Sequence, residues 1–182
     1  MYGIIHKALK DMVIRDFGEQ KWADIVSHSG IEHDVYISMQ TYGDDTTYKL
    51  IGSSSEILGA PVEDCLRLFG KYWITEAAPK AYSDVLRATG DELIEFIGNV
   101  NALHDRITST FPKYIPPEFY LDKLGSDLYR VTYVSTRKGL APFVEGLLLG
   151  LGTRFSNDVV IVDKIQVPTD NGEEWKFDIK FH

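Results

Sequence analysis

The 182-residue sequence contains one cysteine, and that scarcity removes several classes of protein at once. Cys65 has no partner for a disulfide within the chain, and a single thiol is too few for a thiolate-rich zinc site. A reducing cytoplasm is the compartment this predicts. No apolar run approaches the roughly 20 residues of a membrane span. The richest stretch, Leu147 to Leu151, is interrupted by glycine. The opening Met1-Tyr2-Gly3-Ile4-Ile5-His6-Lys7 lacks the charged-then-apolar layout of a signal peptide. Basic blocks are missing too: 19 Lys and Arg stand against 27 Asp and Glu, for a net charge of −8. Neither nucleic acid nor membrane is therefore an expected partner. Repeats and low-complexity segments are also lacking.

What is there is an ordinary globular composition, 44% hydrophobic and 25% charged, which predicts one core spanning residues 1–182. The first two thirds read as helix. Ile4, Ile5, Ala8, Leu9, Met12 and Val13 recur at helical spacing up to a stop at Gly18. Glu19 to Ser29 closes at Gly30, and Thr46 to Leu58 and Pro61 to Trp73 follow, with Tyr82 to Ala88 weaker. After Gly90, with Asp91 as N-cap, a single helix is expected to carry Leu93, Phe96, Ile97, Val100, Leu103 and Ile107 on one face. It ends before Phe111-Pro112, and a loop from Pro112 to Pro117 follows.

The last third changes period. Leu128 to Arg137 alternates as a strand, Leu140 to Phe155 is helical, and Val159 to Val167 and Trp175 to Phe181 are strands joined across Asp170-Asn171-Gly172. Helices first and strands later predict an α+β fold.

His104 shares the apolar stripe of its helix, four residues after Val100 and three before Ile107. It is either a core histidine bonded to a carbonyl or a neutral imidazole offering a nitrogen to a metal. No carboxylate or second histidine lies three or four residues away on that face, so a metal site here favours haem, whose porphyrin brings its own donors. Tyr133, Ser135 and Arg137 recur at two-residue steps. They form either a solvent-facing polar strand edge or a set of donors for the two propionates.

Tyr133-Val134-Ser135-Thr136-Arg137 resembles the Tyr-x-Ser-x-Arg signature of H-NOX (haem nitric oxide/oxygen binding) domains. His104 lies where that family places its proximal histidine, and Pro116-Pro117 resembles the intervening proline pair. Met1-Tyr2-Gly3-Ile4-Ile5, Asp44-Asp45 and Gly139-Leu140-Ala141-Pro142 resemble the cyanobacterial branch. The resemblance covers essentially the whole chain. It implies a helical distal half and a proximal half with a four-stranded antiparallel sheet, with haem b (iron protoporphyrin IX) buried between them and held axially by His104. It further implies that Tyr133, Ser135 and Arg137 hold the propionates and that Asp44 pairs with Arg137. By the same resemblance Pro117 is expected to press on the porphyrin, and Ile5 and Leu147 to line the haem cavity.

Family members that bind oxygen carry a distal tyrosine, and the matching position here is Phe143, which offers no donor. The resemblance therefore implies a cytoplasmic sensor of nitric oxide and CO at ferrous haem, signalling by rupture of the iron–histidine bond. Its partner would be a histidine kinase, a cyclic-di-GMP enzyme or a guanylate cyclase-type protein. Trp73, with an indole N–H at a distal position, keeps an oxygen-sensing alternative open, and Tyr2 and Tyr72 are further candidate donors. A haem-free interaction module is the other alternative. An enzyme built on His104 with Asp105 or Ser109 is not expected, since nucleophile-elbow and glycine-rich phosphate motifs are both missing.

Overall fold

Glycine stops and apolar spacing set the first helices where the sequence predicts them. The computed structural model describes every residue except His33, Pro112 and His182. Helix α1 spans Gly3–Phe17 and α2 spans Glu19–Ser29. Gly30 caps α2 at φ 66°, a left-handed conformation that glycine adopts without a Cβ penalty. Helices α3 (Asp44–Leu58) and α4 (Val62–Tyr72) follow. The chain divides into two compact units, 1–69 and 70–182, and the dividing line falls within α4.

The first unit packs α1 and α2 around Leu9, Met12, Val13, Trp22, Ile25 and Leu50. His6 is wholly buried there, its Nε2 2.7 Å from Thr47 Oγ1. Its ring lies 4.9 Å from that of Tyr36 and 5.3 Å from that of Tyr42. Burial, with the Asp34 and Tyr42 charges adding, pushes the Tyr36 phenol up to about 12.

In the second unit α4 runs into a π-helical turn, Trp73–Ala77, and then α5, Ala78–Arg87. The expected weak helix at 82–88 is thus part of a longer one, broken locally at Tyr82 (φ −138°, ψ 34°). The single helix expected after Gly90 is two: α6 (Leu93–Gly98) and α7 (Val100–Thr110). Asn99 separates them at φ −98°, ψ 3°, and its side-chain amide donates to the Thr89 carbonyl at 2.8 Å. Gly98 weakens helix propensity beside that competing bond. Asp91 is not the N-cap. Glu92 holds that position without a side-chain cap bond, and the Asp91 amide donates to Glu95 Oε2.

Four strands form one antiparallel sheet in the order β1-β2-β4-β3: β1 (Glu118–Lys123), β2 (Leu128–Ser135), β3 (Val159–Val167) and β4 (Glu173–Phe181). β1 is a strand the residue pattern did not reveal. The loop before it follows α7, although Pro112, where that loop was expected to begin, lies outside the described residues. β2 ends at Ser135 rather than Arg137 because both neighbours run out: β1 starts opposite Val134 and β4 opposite Ser135. Arg130 and Asp178 face each other across β2 and β4 in a two-pronged pair at 2.7 and 2.8 Å, which fixes the register. Helix α8 (Ala141–Phe155) connects β2 to β3. Val131, Phe177 and Ile179 on the sheet and Val144 and Leu148 on α8 are core residues, each worth about 1.5–3 kcal/mol of burial.

Candidate functional site

An apolar cavity, partly open to solvent, lies inside the second unit. The π-helical turn and α5 supply Trp73, Ile74, Ala78 and Tyr82. Helices α6 and α7 supply Phe96, Val100 and His104, and α8 supplies Leu147 and Leu151. Nearly every other lining side chain is aliphatic or aromatic hydrocarbon, so four polar groups stand out: Trp73, Tyr82, His104 and Tyr114.

His104 reaches the cavity because α7 turns the Val100–Leu103–Ile107 face toward it. Its Nδ1 is 3.0 Å from the Pro117 carbonyl oxygen. That oxygen can only accept, so Nδ1 carries the proton and Nε2 holds a free lone pair. Nε2 makes no hydrogen bond among the described residues. Burial holds the imidazole below its usual 6.5, opposed by the Pro117 bond and the Asp105 charge, so the neutral form is favoured. The rings of Tyr114 and Phe119 each stand 6.0 Å away. Both alternatives weighed for this histidine therefore meet in one geometry: one nitrogen bonds a carbonyl and the other is left over. Ser109, considered as a nucleophile, instead donates its hydroxyl to the Arg106 carbonyl at 2.6 Å.

Tyr133 and Ser135 point into the protein, 2% and 7% exposed, which rules out a solvent-facing edge at these two positions. The Tyr133 ring lies 5.4 Å from that of Phe119, a cavity residue. Arg137 sits in the turn beyond β2. Its amide donates to Ser135 Oγ at 3.1 Å and its Nη1 to the Ile115 carbonyl at 2.9 Å. Of the predicted site residues, the structure gathers His104, Trp73 and Leu147 in the cavity wall. Tyr133, Ser135, Arg137, Pro117, Phe143 and Tyr72 are not lining side chains. Pro117 adjoins the site through its carbonyl on His104. Ile5, Asp44 and Tyr2 belong to the first unit, where Asp44 Oδ1 accepts from the Met1 amino group at 2.8 Å.

Two polar lining residues, Tyr82 and Tyr114, escaped the sequence reading. Burial pushes the Tyr114 phenol up to about 12, with Arg137 opposing and Tyr82 adding, and burial raises Tyr82 as well. Both remain neutral donors at neutral pH. Tyr82 falls at the helix break and Tyr114 in an irregular loop, where periodicity assigns no face. Among the described residues no group of three or more His, Cys, Asp or Glu could hold a metal ion. No helix among them is long and apolar enough to cross a membrane.

A family profile described as Haem-NO-binding matches residues 2–163. Soluble guanylate cyclase gcy-31 of Caenorhabditis elegans is 24% identical over 170 residues, covering 93% of this chain and 24% of the cyclase. Soluble guanylate cyclase gcy-32 of the same organism is 28% identical over 181 residues, covering 95% and 26%. The chain thus spans about a quarter of the length of these relatives. The fold is shared with the Fe(II) unliganded H-NOX protein from K. algicida at a TM-score of 0.83 and 24% identity, covering 100% of this chain and 97% of that one. It is also shared with an H-NOX protein from S. oneidensis in the Fe(II)NO ligation state at 0.85 and 20%, covering 100% and 99%.

Proposed function

The chain belongs to the haem-NO-binding (H-NOX) family, and from that premise we propose that residues 1–182 act as one haem-based sensor domain for nitric oxide and CO. The observation that carries this reading is the uncommitted Nε2 of His104 at the wall of an apolar cavity. An imidazole whose Nδ1 proton is committed to a carbonyl is the form that ligates a metal through its other nitrogen. A wall without companion carboxylates suits a macrocycle that brings four donors of its own. The residues present therefore fit haem b.

When bound, haem b supplies the ferrous centre at which a diatomic gas binds. His104 would hold it through Nε2. Arg137 offers a planar guanidinium to a propionate, and Ser135 accepts from the Arg137 amide while keeping its own proton to donate. Tyr133 would complete that set, and Pro117, through its carbonyl, orients the imidazole so that Nε2 stays available. Ile5, Asp44 and Phe143 enter the proposal through the family resemblance alone, as does membership of the cyanobacterial branch. Loss of the His104 link would free α7, a change that a histidine kinase, a cyclic-di-GMP enzyme or a guanylate cyclase-type partner in the cytoplasm would read.

Oxygen sensing is the second reading, and one observation favours it. Trp73 lines the cavity with an indole N–H that makes no hydrogen bond among the described residues, while Phe143 is not a lining side chain. Absorption spectra of the haem-loaded, reduced protein under argon, air, CO and nitric oxide test both. Spectral shifts with nitric oxide and CO but none in air support the first reading. A lasting spectrum in air that Trp73→Phe abolishes supports the second. Failure to take up haem refutes both.

A further inference from the structure

Glu173 is a buried acid that none of these roles uses. It is 4% exposed, opens β4 directly opposite Ser135, and its carboxylate collects three donors. Oε2 accepts from the Gly139 amide at 2.9 Å and from Trp175 Nε1 at 3.2 Å, and Oε1 accepts from the Leu140 amide at 3.0 Å. A buried carboxylate without such bonds would be strongly unfavourable, so its position is dictated by those amides as much as theirs is by it. The amides belong to the turn 136–140 between β2 and α8, and Arg137 lies in that turn. Thr136, Lys138 and Gly139 are exposed, so little burial holds the turn.

The structure also restrains the turn where it leaves β2. Before it, Ser135 Oγ accepts from the Arg137 amide. At the same end, Gly172 packs so closely that a Cβ there would lie 1.9 Å from the Ser135 carbonyl oxygen. Gly172 also needs its φ of +78° for the hairpin turn, so β4 must enter at this point and deliver Glu173 to the amides. From this geometry we infer that Glu173 is a positioning residue for Arg137: its carboxylate closes the turn 136–140 and so aims the guanidinium at the carboxylate group of the bound cofactor. The inference rests on the haem reading above, and a plain helix cap for α8 is the rival role.

The test is the rate of haem loss to an excess of apoglobin scavenger for the parent, Glu173→Gln, Glu173→Ala, Arg137→Ala and the Glu173→Ala/Arg137→Ala double variant. Thermal melts of each haem-free protein accompany it. Glu173→Ala should speed haem loss about tenfold, equal to about 1.4 kcal/mol. It should add less than about twofold once Arg137 is already alanine, because residues that act through one another are not additive. Glu173→Gln, which keeps the side-chain shape and one carbonyl acceptor, should fall between parent and alanine. If Glu173→Ala does not fold, the Gln variant with its own Arg137→Ala partner decides the matter. Glu173 variants that melt earlier yet lose haem at the parental rate, or whose effect persists in full without Arg137, overturn the inference and leave a helix cap. A parent protein that takes up no haem overturns the haem reading itself, and this inference with it.

Discussion

The two units each place a histidine on an apolar helix face, and the two side chains are put to opposite uses. In the first unit His6 is sealed: Nε2 meets Thr47 Oγ1, and the Tyr36 and Tyr42 rings close over the imidazole. In the second, His104 spends Nδ1 on a carbonyl and keeps Nε2 for a cavity. Both stand on an apolar helix face, His6 wholly buried and His104 partly so, and helical phase alone therefore identifies neither as a ligand. What separates a structural histidine from a candidate ligand is where its outer nitrogen points.

His104→Gly gives the sharpest contrast. The purified protein should be nearly free of haem, with the pigment restored by free imidazole, and a normal spectrum without imidazole would erase the distinction. His6→Ala should instead leave the band positions of the haem spectrum unchanged while lowering stability by about 2–4 kcal/mol, since it opens a cavity and strands the Thr47 hydroxyl. A shifted spectrum from that variant would show that the two histidines share a role.

Arg137→Ala comes next, with the loss of a charged hydrogen bond worth about 1.5–3 kcal/mol and correspondingly faster haem release. Arg137→Lys should recover little, because an ammonium lacks the planar fork. Unaltered haem release would remove Arg137 from the site.

The smallest effect is that of pH on the haem-free protein. Burial depresses the folded pKa of His104, so the unfolded chain takes up the proton first as pH falls below about 6.5. Stability contributed by the neutral imidazole is complete above that point. It declines beneath it until the folded pKa is passed, by at most about 1.4 kcal/mol per pH unit. Denaturant melts across that range should show a steeper slope for the parent than for His104→Leu, and equal slopes would mean that His104 is not held neutral.

Residues that announce a chain reversal were legible in the sequence. Gly30 closed α2 and the Asp170-Asn171-Gly172 turn separated two strands where expected, because each depends on its own backbone conformation. The break at Asn99 was invisible, since the apolar stripe continues in phase from α6 into α7 and the decisive bond, to the Thr89 carbonyl, is tertiary. β1 is short, mostly exposed and preceded by prolines, so its alternation carried little signal. In the site, periodicity placed His104 correctly on the cavity side of its helix. Arg137 was taken for a strand residue because strand ends are set by neighbouring strands, which a local pattern does not contain. Tyr82 and Tyr114 required the irregular backbone itself.

The carbonyls of Ile115 and Pro117 have one further consequence. The first accepts from Arg137 and the second from His104, two residues apart on a segment whose last two members are prolines. Proline fixes φ near −65°, so this tripeptide has few torsions in which to absorb a push. It behaves as a short strut with the imidazole pinned at one end and the guanidinium at the other. A displacement of His104 would therefore bear on the segment whose Ile115 carbonyl holds Arg137, coupling the imidazole at the cavity wall to the guanidinium in the turn beyond β2.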